Sequence, residues 1–123
     1  MSKILFVEDD ELMSDMYSLI LHEPEFTVEI FKHGLEGIAR AKEWQPDLIL
    51  LDMMMPGMNG MEILHMLKKN DSTASIPVAM LSNLFDDSFI KEARDSGAVE
   101  YFIKSEFNGK EMREKIKNIL EKS

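Results

Sequence analysis

Four short apolar runs in this chain each end in a residue able to do chemistry. Ile4-Leu5-Phe6-Val7 leads into Glu8-Asp9-Asp10, and Leu48-Ile49-Leu50-Leu51 into Asp52. Val78-Ala79-Met80-Leu81 leads into Ser82, and Tyr101-Phe102-Ile103 into Lys104. If the four runs are adjacent strands, acids, a hydroxyl and an ammonium converge at one end of a sheet. Crowded carboxylates repel one another, and a hard divalent cation relieves that repulsion. An all-oxygen donor set favours magnesium, with manganese able to substitute, over zinc. Two carboxylates and one carbonyl would suffice, and the backbone carbonyl of Met54 is well placed to be the third contact. A lysine and a hydroxyl facing such a group are the donors that bind phosphoryl oxygens. A carboxylate can itself attack phosphorus and become an aspartyl phosphate. Asp52 is the best-placed nucleophile, between the metal side and the Ser82-Lys104 side. Asp10 needs no more than a helix-capping role.

The elements that must position these groups alternate from end to end. Lys3 to Val7 reads as a strand and Glu11 to His22 as a helix with Leu12, Met16, Leu19 and Ile20 on one face, stopped by Pro24. Thr27 to Phe31 alternates, with Glu29 at its middle, and so belongs at a sheet edge. Leu35 to Trp44 is a helix carrying Leu35, Ile38, Ala39 and Lys42, and Asp47 to Leu51 is the most apolar and most central strand. Asn59 with Glu62 can cap a third helix presenting Ile63, Leu64 and Leu67. Pro77 opens the fourth strand. Asp86 or Asp87 can cap a helix that runs to Ser96 and stops at Gly97. Glu100 to Ile103 is the fifth strand, and Asn108 with Glu111 opens a last helix burying Met112, Ile116, Ile119 and Leu120. Continuous apolar runs are what parallel strands covered on both faces look like. The predicted fold is therefore α/β, a doubly wound five-stranded parallel sheet with five helices, one domain over residues 1–123. The flavodoxin-like order 2-1-3-4-5 puts the alternating strand at an edge. It also puts the switch point, where ligands bind, between the strands that end in Asp9 and Asp52.

Composition narrows the setting. A net charge of -9 argues against direct binding to nucleic acid or to an anionic membrane. With no cysteine there is no disulfide, zinc-thiolate site or thiol nucleophile. A first strand at Lys3 leaves no room ahead of it for a signal peptide, and no apolar run approaches the ~20 residues of a membrane span. The expected location is cytoplasmic. The chain ends soon after the fifth helix, so output is expected through a docking partner, phosphate relay or self-association.

These residues together resemble the receiver domain of two-component response regulators, along essentially the whole chain. The resemblance is carried by Val7-Glu8-Asp9-Asp10, by the stretch from Pro46 through Asp52 and Pro56 to Gly60, by Leu81-Ser82, by Gly97-Ala98 and by Tyr101-Phe102-Ile103-Lys104. It implies a flavodoxin-like receiver fold in which Asp52 accepts a phosphoryl group from a sensor histidine kinase or a phosphotransfer protein. It further implies that Asp9 and Asp52 hold magnesium directly and Glu8 through water. Ser82 would then move to the phosphoryl group, Lys104 would pair with it, and Tyr101 would swing inward. The face of the fourth helix, fifth strand and fifth helix would be remodelled for a downstream protein partner or a phosphorylation-dependent homodimer. Such a chain is not an enzyme in its own right, promoting only its own phosphorylation and dephosphorylation.

The chain departs from that family's pattern in three places. Ser105 follows Lys104 where the family commonly has proline after a cis bond, and a cis bond to a non-proline costs about 2.5–4 kcal/mol. Asn83 replaces a small residue beside Ser82 and narrows donor access. Met54 and Leu84, at the positions that tune phosphate lifetime, are both apolar, which implies slow self-hydrolysis. The methionines at 53, 54, 55, 58 and 61 read as adaptable core and loop filling. His22, His33 and His65 have no ligand spacing. An aspartate-nucleophile phosphatase would want a second aspartate where Met54 stands. A flavin carrier would want a hydroxyl- and glycine-rich loop where Glu8-Asp9-Asp10-Glu11 would repel phosphate. A pure interaction module would not need the retained acids, hydroxyl and lysine, though Asn83 and Ser105 keep that reading open.

Overall fold

The structure, a computed structural model, describes residues 1–55, 57–83, 86–104 and 108–122. Strands and helices alternate along them: β1 Ser2–Val7, α1 Glu11–Ile20, β2 Phe26–Phe31, α2 Gly34–Trp44 and β3 Leu48–Asp52 make the first half. The second half is α3 Gly60–Lys69, β4 Val78–Ser82, α4 Asp87–Asp95, β5 Glu100–Ile103 and α5 Gly109–Lys122. The strands form one parallel sheet in the predicted order β2-β1-β3-β4-β5.

Alternate strand residues feed two cores, because successive side chains point to opposite faces. Leu5, Val7, Ile49, Leu51, Val78, Met80 and Ile103 pack in one layer with Ile38 of α2, Leu64 of α3 and Ala93 of α4. Ile4, Phe6, Leu48, Leu50, Leu81 and Phe102 pack in the other with Tyr17 of α1 and Met112 and Ile116 of α5. Central β3 is buried along its whole length, as its unbroken apolar run implied. At the edge, β2 carries the half-buried Glu29, which accepts two hydrogen bonds from Arg40 of α2, at 2.7 and 2.9 Å.

The predicted caps fix where the helices start. Asp10 Oδ1 accepts from the Met13 amide at 3.0 Å, and Asn59 and Glu62 close a reciprocal capping box on α3. Of the two candidates before α4 it is Asp86 that caps, bonding the Ser88 amide at 2.8 Å. Asn108 and Glu111 pair at the start of α5. Gly97 takes φ +107° just beyond α4, a conformation that side chains other than glycine's adopt at a cost.

Two helix faces differ from the sequence reading. In α1, Leu12 and Leu19 are 80% and 77% exposed and Met16 is also exposed, so of the predicted face only Ile20 is half-buried. The buried face carries Ser14 and Tyr17, with Leu21 at the C-cap, one residue before the predicted end at His22. Asp10 fixes where the helix starts, and the inward face is set by Tyr17 packing on Phe6 with ring centroids 5.1 Å apart, a larger apolar contact than a leucine offers. In α2 Ile38 is buried as predicted, but Leu35, Ala39 and Lys42 are exposed and Gly37 and Ala41 are buried instead. Gly37 lies so close to β1 that an added Cβ would meet Val7 Cγ2 at 2.7 Å, so a small residue sets that face. The corrected phase of α1 predicts that Leu21→Ala lowers stability by about 2–5 kcal/mol. Leu19→Ala should stay within about 0.5 kcal/mol. Equal losses in urea unfolding would contradict the observed packing.

Candidate functional site

The site is built by strand register. Val7 of β1 lies opposite Leu51 of β3, so Glu8 and Asp52 follow side by side at the carboxyl end of the sheet. The Met53 amide donates to the Leu81 carbonyl and the Lys104 amide to the Ser82 carbonyl, both at 2.8 Å, which carries the ends of β4 and β5 to the same level. Behind Asp52, the start of α3 presses against the strand. An added Cβ on Gly60 would lie 2.5 Å from the Asp52 carbonyl oxygen and 2.9 Å from Met53 Cα, backbone atoms that cannot step aside.

One open cleft of about 750 Å³ gathers Glu8, Asp9, Asp52, Met54, Asn83 and Lys104. Lys104 Nζ stands 3.3 Å from both Glu8 Oε1 and Asp52 Oδ1. Both distances exceed the roughly 2.7–2.9 Å of a tight charge-assisted bond, so the ammonium is shared between two carboxylates and committed to neither. The Met54 amide donates to Asp52 Oδ1 and the Asp10 amide to Glu8 Oε2, each at 3.3 Å. Glu8 and Asp52 are buried, at 0% and 4% exposure, while Asp9 is half-buried. Among the described residues, oxygens of Glu8, Asp9 and Asp52 lie within 4.8 Å of one another. Three carboxylates at that spacing, two of them buried, fit a hard cation with oxygen ligands.

Burial, with the hydrogen bond and charge of Asp52 beside it, pushes the Glu8 carboxyl up to about 7, against the pull of Lys104. Tyr17, buried nearby, has its phenol pushed up to about 12 by burial and by the charges of Glu8 and Asp52. Sequence reasoning missed Tyr17. It lies two helical turns beyond Asp10 on the face that α1 turns to the sheet, a face that the apolar pattern of the helix did not mark.

The remaining predicted residues take separate positions. Ser82 ends β4 and Tyr101 lies in β5, yet neither lines the cleft; both are buried, at 1% and 5% exposure. Tyr101 belongs to the core layer beneath α2, α3 and α4. Asn83 is exposed at the rim. Met53 and Met61 are core residues, and Met55 and Met58 pack against that core, as the filling role predicted, whereas Met54 is exposed. Of the histidines, His22 and His33 are exposed, and His65 Nε2 is 2.9 Å from Ser96 Oγ. Leu84, Pro56 and the Lys104-Ser105 bond lie outside the described residues. No helix among the described residues is long and apolar enough to cross a membrane.

Comparison with known proteins matches residues 4–117 to the response regulator receiver domain. The DNA-binding dual master transcriptional regulator RpaA of Synechocystis sp. is 35% identical over 123 residues, all of this chain and 51% of that protein. The phosphate regulon transcriptional regulatory protein PhoB of Rhizobium meliloti is 31% identical over 98% of this chain and 53% of its own length. The chain thus spans about half the length of the curated relatives it matches. A CheY-like response regulator receiver domain protein from Methanospirillum hungatei superposes with TM-score 0.89 at 28% identity, covering 99% of this chain and 95% of that one. The chemotaxis protein CheY4 of Vibrio cholerae superposes with TM-score 0.88 at 26% identity, covering 97% and 98%.

The raised Glu8 carboxyl gives a stability prediction for the metal-free protein. The folded chain holds this proton to higher pH than the unfolded chain, whose value is 4.5. Its contribution is therefore complete below pH 4.5 and lost as pH rises through about 7. The carboxyls lowered by partners, Glu25, Glu29 and Asp86, act below that window. Melting temperature should fall by several degrees from about pH 5 to 8, magnesium should restore it most at the upper end, and Glu8→Gln should flatten the slope. A metal-free wild-type profile already flat over that range would contradict the assignment.

Proposed function

Because the chain belongs to the response regulator receiver domain family, we propose that Asp52 accepts a phosphoryl group in the presence of magnesium. The donor is a phosphohistidine on a sensor histidine kinase or a phosphotransfer protein. One observation carries this reading: the Lys104 ammonium, shared at 3.3 Å between Asp52 and Glu8, is free to turn to an arriving anion. In the transfer, an Asp52 carboxylate oxygen attacks phosphorus. The new O–P bond forms as the P–N bond to the donor imidazole breaks, and the bonding pair goes to the ring nitrogen.

Asp9, Asp52 and the Met54 carbonyl would hold magnesium, or manganese in its place, and Glu8 would do so through water. The ion supplies positive charge against the phosphoryl oxygens and relieves the repulsion among the carboxylates. Lys104 pairs with one oxygen of the new group and the Ser82 hydroxyl donates to another. The group brings roughly -1.5 to -2 charge and three acceptor oxygens, a large local change. Drawing Ser82 toward it alters the space beside Tyr101 and so the face made by α4, β5 and α5. That face is where a downstream protein partner docks or a second copy pairs. The chain turns over no external substrate and promotes only its own phosphorylation and dephosphorylation.

The setting is the cytoplasm, and a net charge of -9 weighs against direct nucleic-acid or anionic-membrane contact by this chain. DNA binding, named for RpaA, belongs to a protein of which the chain spans half. Apolar Met54 and Leu84 offer no strong acceptor to hold an attacking water, and Asn83 narrows the entrance, so the phosphoryl group is long-lived. Acetyl phosphate with magnesium should add the mass of one phosphoryl group to the protein and none to Asp52→Asn. After removal of the donor the group should last minutes or longer. An equal gain by Asp52→Asn would overturn the acceptor assignment, and a half-life of seconds would overturn the role given to Met54 and Leu84.

A further inference from the structure

Four methionines crowd the loop after β3 and a fifth, Met61, sits in the first turn of α3; one of the five faces the acidic cleft in the open. Met54 is 62% exposed, while Met53 and Met61 are 4% and 6% exposed in the core and Met55 and Met58 pack against it. Elsewhere Met16 and Met66 reach 41%, and Met80 and Met112 are buried. Met13, half-buried, also lines the cleft. Apart from the terminal Met1, Met54 is the most exposed methionine among the described residues. It is also tethered to the reacting group, since its amide donates to Asp52 Oδ1 at 3.3 Å and its side chain shares the cleft with Asp52 and Lys104. A thioether accepts hydrogen bonds weakly. A sulfoxide oxygen at the same position is polar and accepts strongly, and the conversion is reversible by methionine sulfoxide reductases.

We propose that Met54 is a redox-modification site, oxidised by hydrogen peroxide to the sulfoxide, and that the new oxygen shortens the lifetime of a phosphoryl group on Asp52. The inference rests on Asp52 being the phosphoacceptor. The Met54 sulfur attacks one peroxide oxygen; an S–O bond forms as the O–O bond breaks. The proton on the transferred oxygen goes to the departing hydroxide, which leaves as water. Sulfur is oxidised by two electrons and peroxide is reduced by two. The sulfoxide oxygen then accepts a hydrogen bond from a water at the cleft rim and holds it toward phosphorus. Attack by that water breaks the bond between phosphorus and the Asp52 oxygen, releasing inorganic phosphate and restoring the carboxylate. An oxidising signal thereby erases a phosphorylation signal at the same site.

The test combines peptide mass spectrometry with a decay measurement. Protein treated with dilute hydrogen peroxide is mapped for added oxygen, then phosphorylated with acetyl phosphate and magnesium, and its decay is followed after the donor is removed. Met54 should gain oxygen before the other internal methionines, and the half-life should shorten by about tenfold, less than the roughly 10²–10⁴-fold of a full general base because the sulfoxide only orients the water. Each variant is read as the ratio of its treated to untreated half-life. Met54→Leu should give a ratio near one, Met16→Leu should respond as the wild type does, and sulfoxide reductase should restore the long half-life. First oxidation at another internal methionine, an unchanged half-life, or equal shortening in Met54→Leu would overturn the inference alone. A protein that gains no phosphoryl group on Asp52 with or without peroxide would overturn the phosphoacceptor reading, and this inference with it.

Discussion

Three carboxylates have oxygens within 4.8 Å of one another, two of them share the Lys104 ammonium, and much of the molecule serves to hold that imbalance in place. Like charges at such spacing do not gather unaided. They are forced together because β1 and β3 are neighbours and both run out into acids at the same end. Burial deepens the conflict by withholding water from Glu8 and Asp52, and Glu8 answers by holding its proton toward neutral pH. The same tension makes the site receptive. The acids present the oxygen donors that a hard cation needs, and Lys104 stands 3.3 Å from each of two partners.

The scaffold concentrates rigidity where this charge sits. The apolar layers on both faces of β3 leave Asp52 no freedom to move along the sheet, and the start of α3 closes on it from behind through Gly60. Across the sheet, backbone bonds from Met53 to Leu81 and from Lys104 to Ser82 lock the strand ends at one level. Side chains at the rim are less constrained: Met54, Asn83 and Leu12 are all exposed beside the cleft. The acids and Lys104 are thus placed by the sheet, while the rim side chains stand open to solvent.

Much of this was legible in the sequence because parallel strands buried on both faces leave an unmistakable apolar run, and the residue after each run marks the site end. Asp52, Glu8, Asp9 and Lys104 could be read that way, and so could the edge position of the strand holding Glu29. The phase of α1 could not. Leu12, Met16 and Leu19 make as good a stripe as Ser14, Tyr17 and Leu21, and the choice between them is made by Phe6, a residue on another element. The face of α2 was hidden for a related reason, since a glycine that fits against Val7 outweighs a leucine in fixing which side turns inward. Protonation of Glu8 and the proximity of Tyr17 also depend on burial that no local pattern encodes.

The central claim is that these acids and Lys104 form one phosphoryl-accepting site. A crystal structure of the protein with magnesium and beryllofluoride tests it most directly. The account predicts a beryllium–oxygen bond to Asp52, a fluoride within hydrogen-bond reach of Lys104 Nζ, and a magnesium ion bound by Asp9 and Asp52. A beryllofluoride group bound elsewhere, or a magnesium ion that avoids both aspartates, would contradict it.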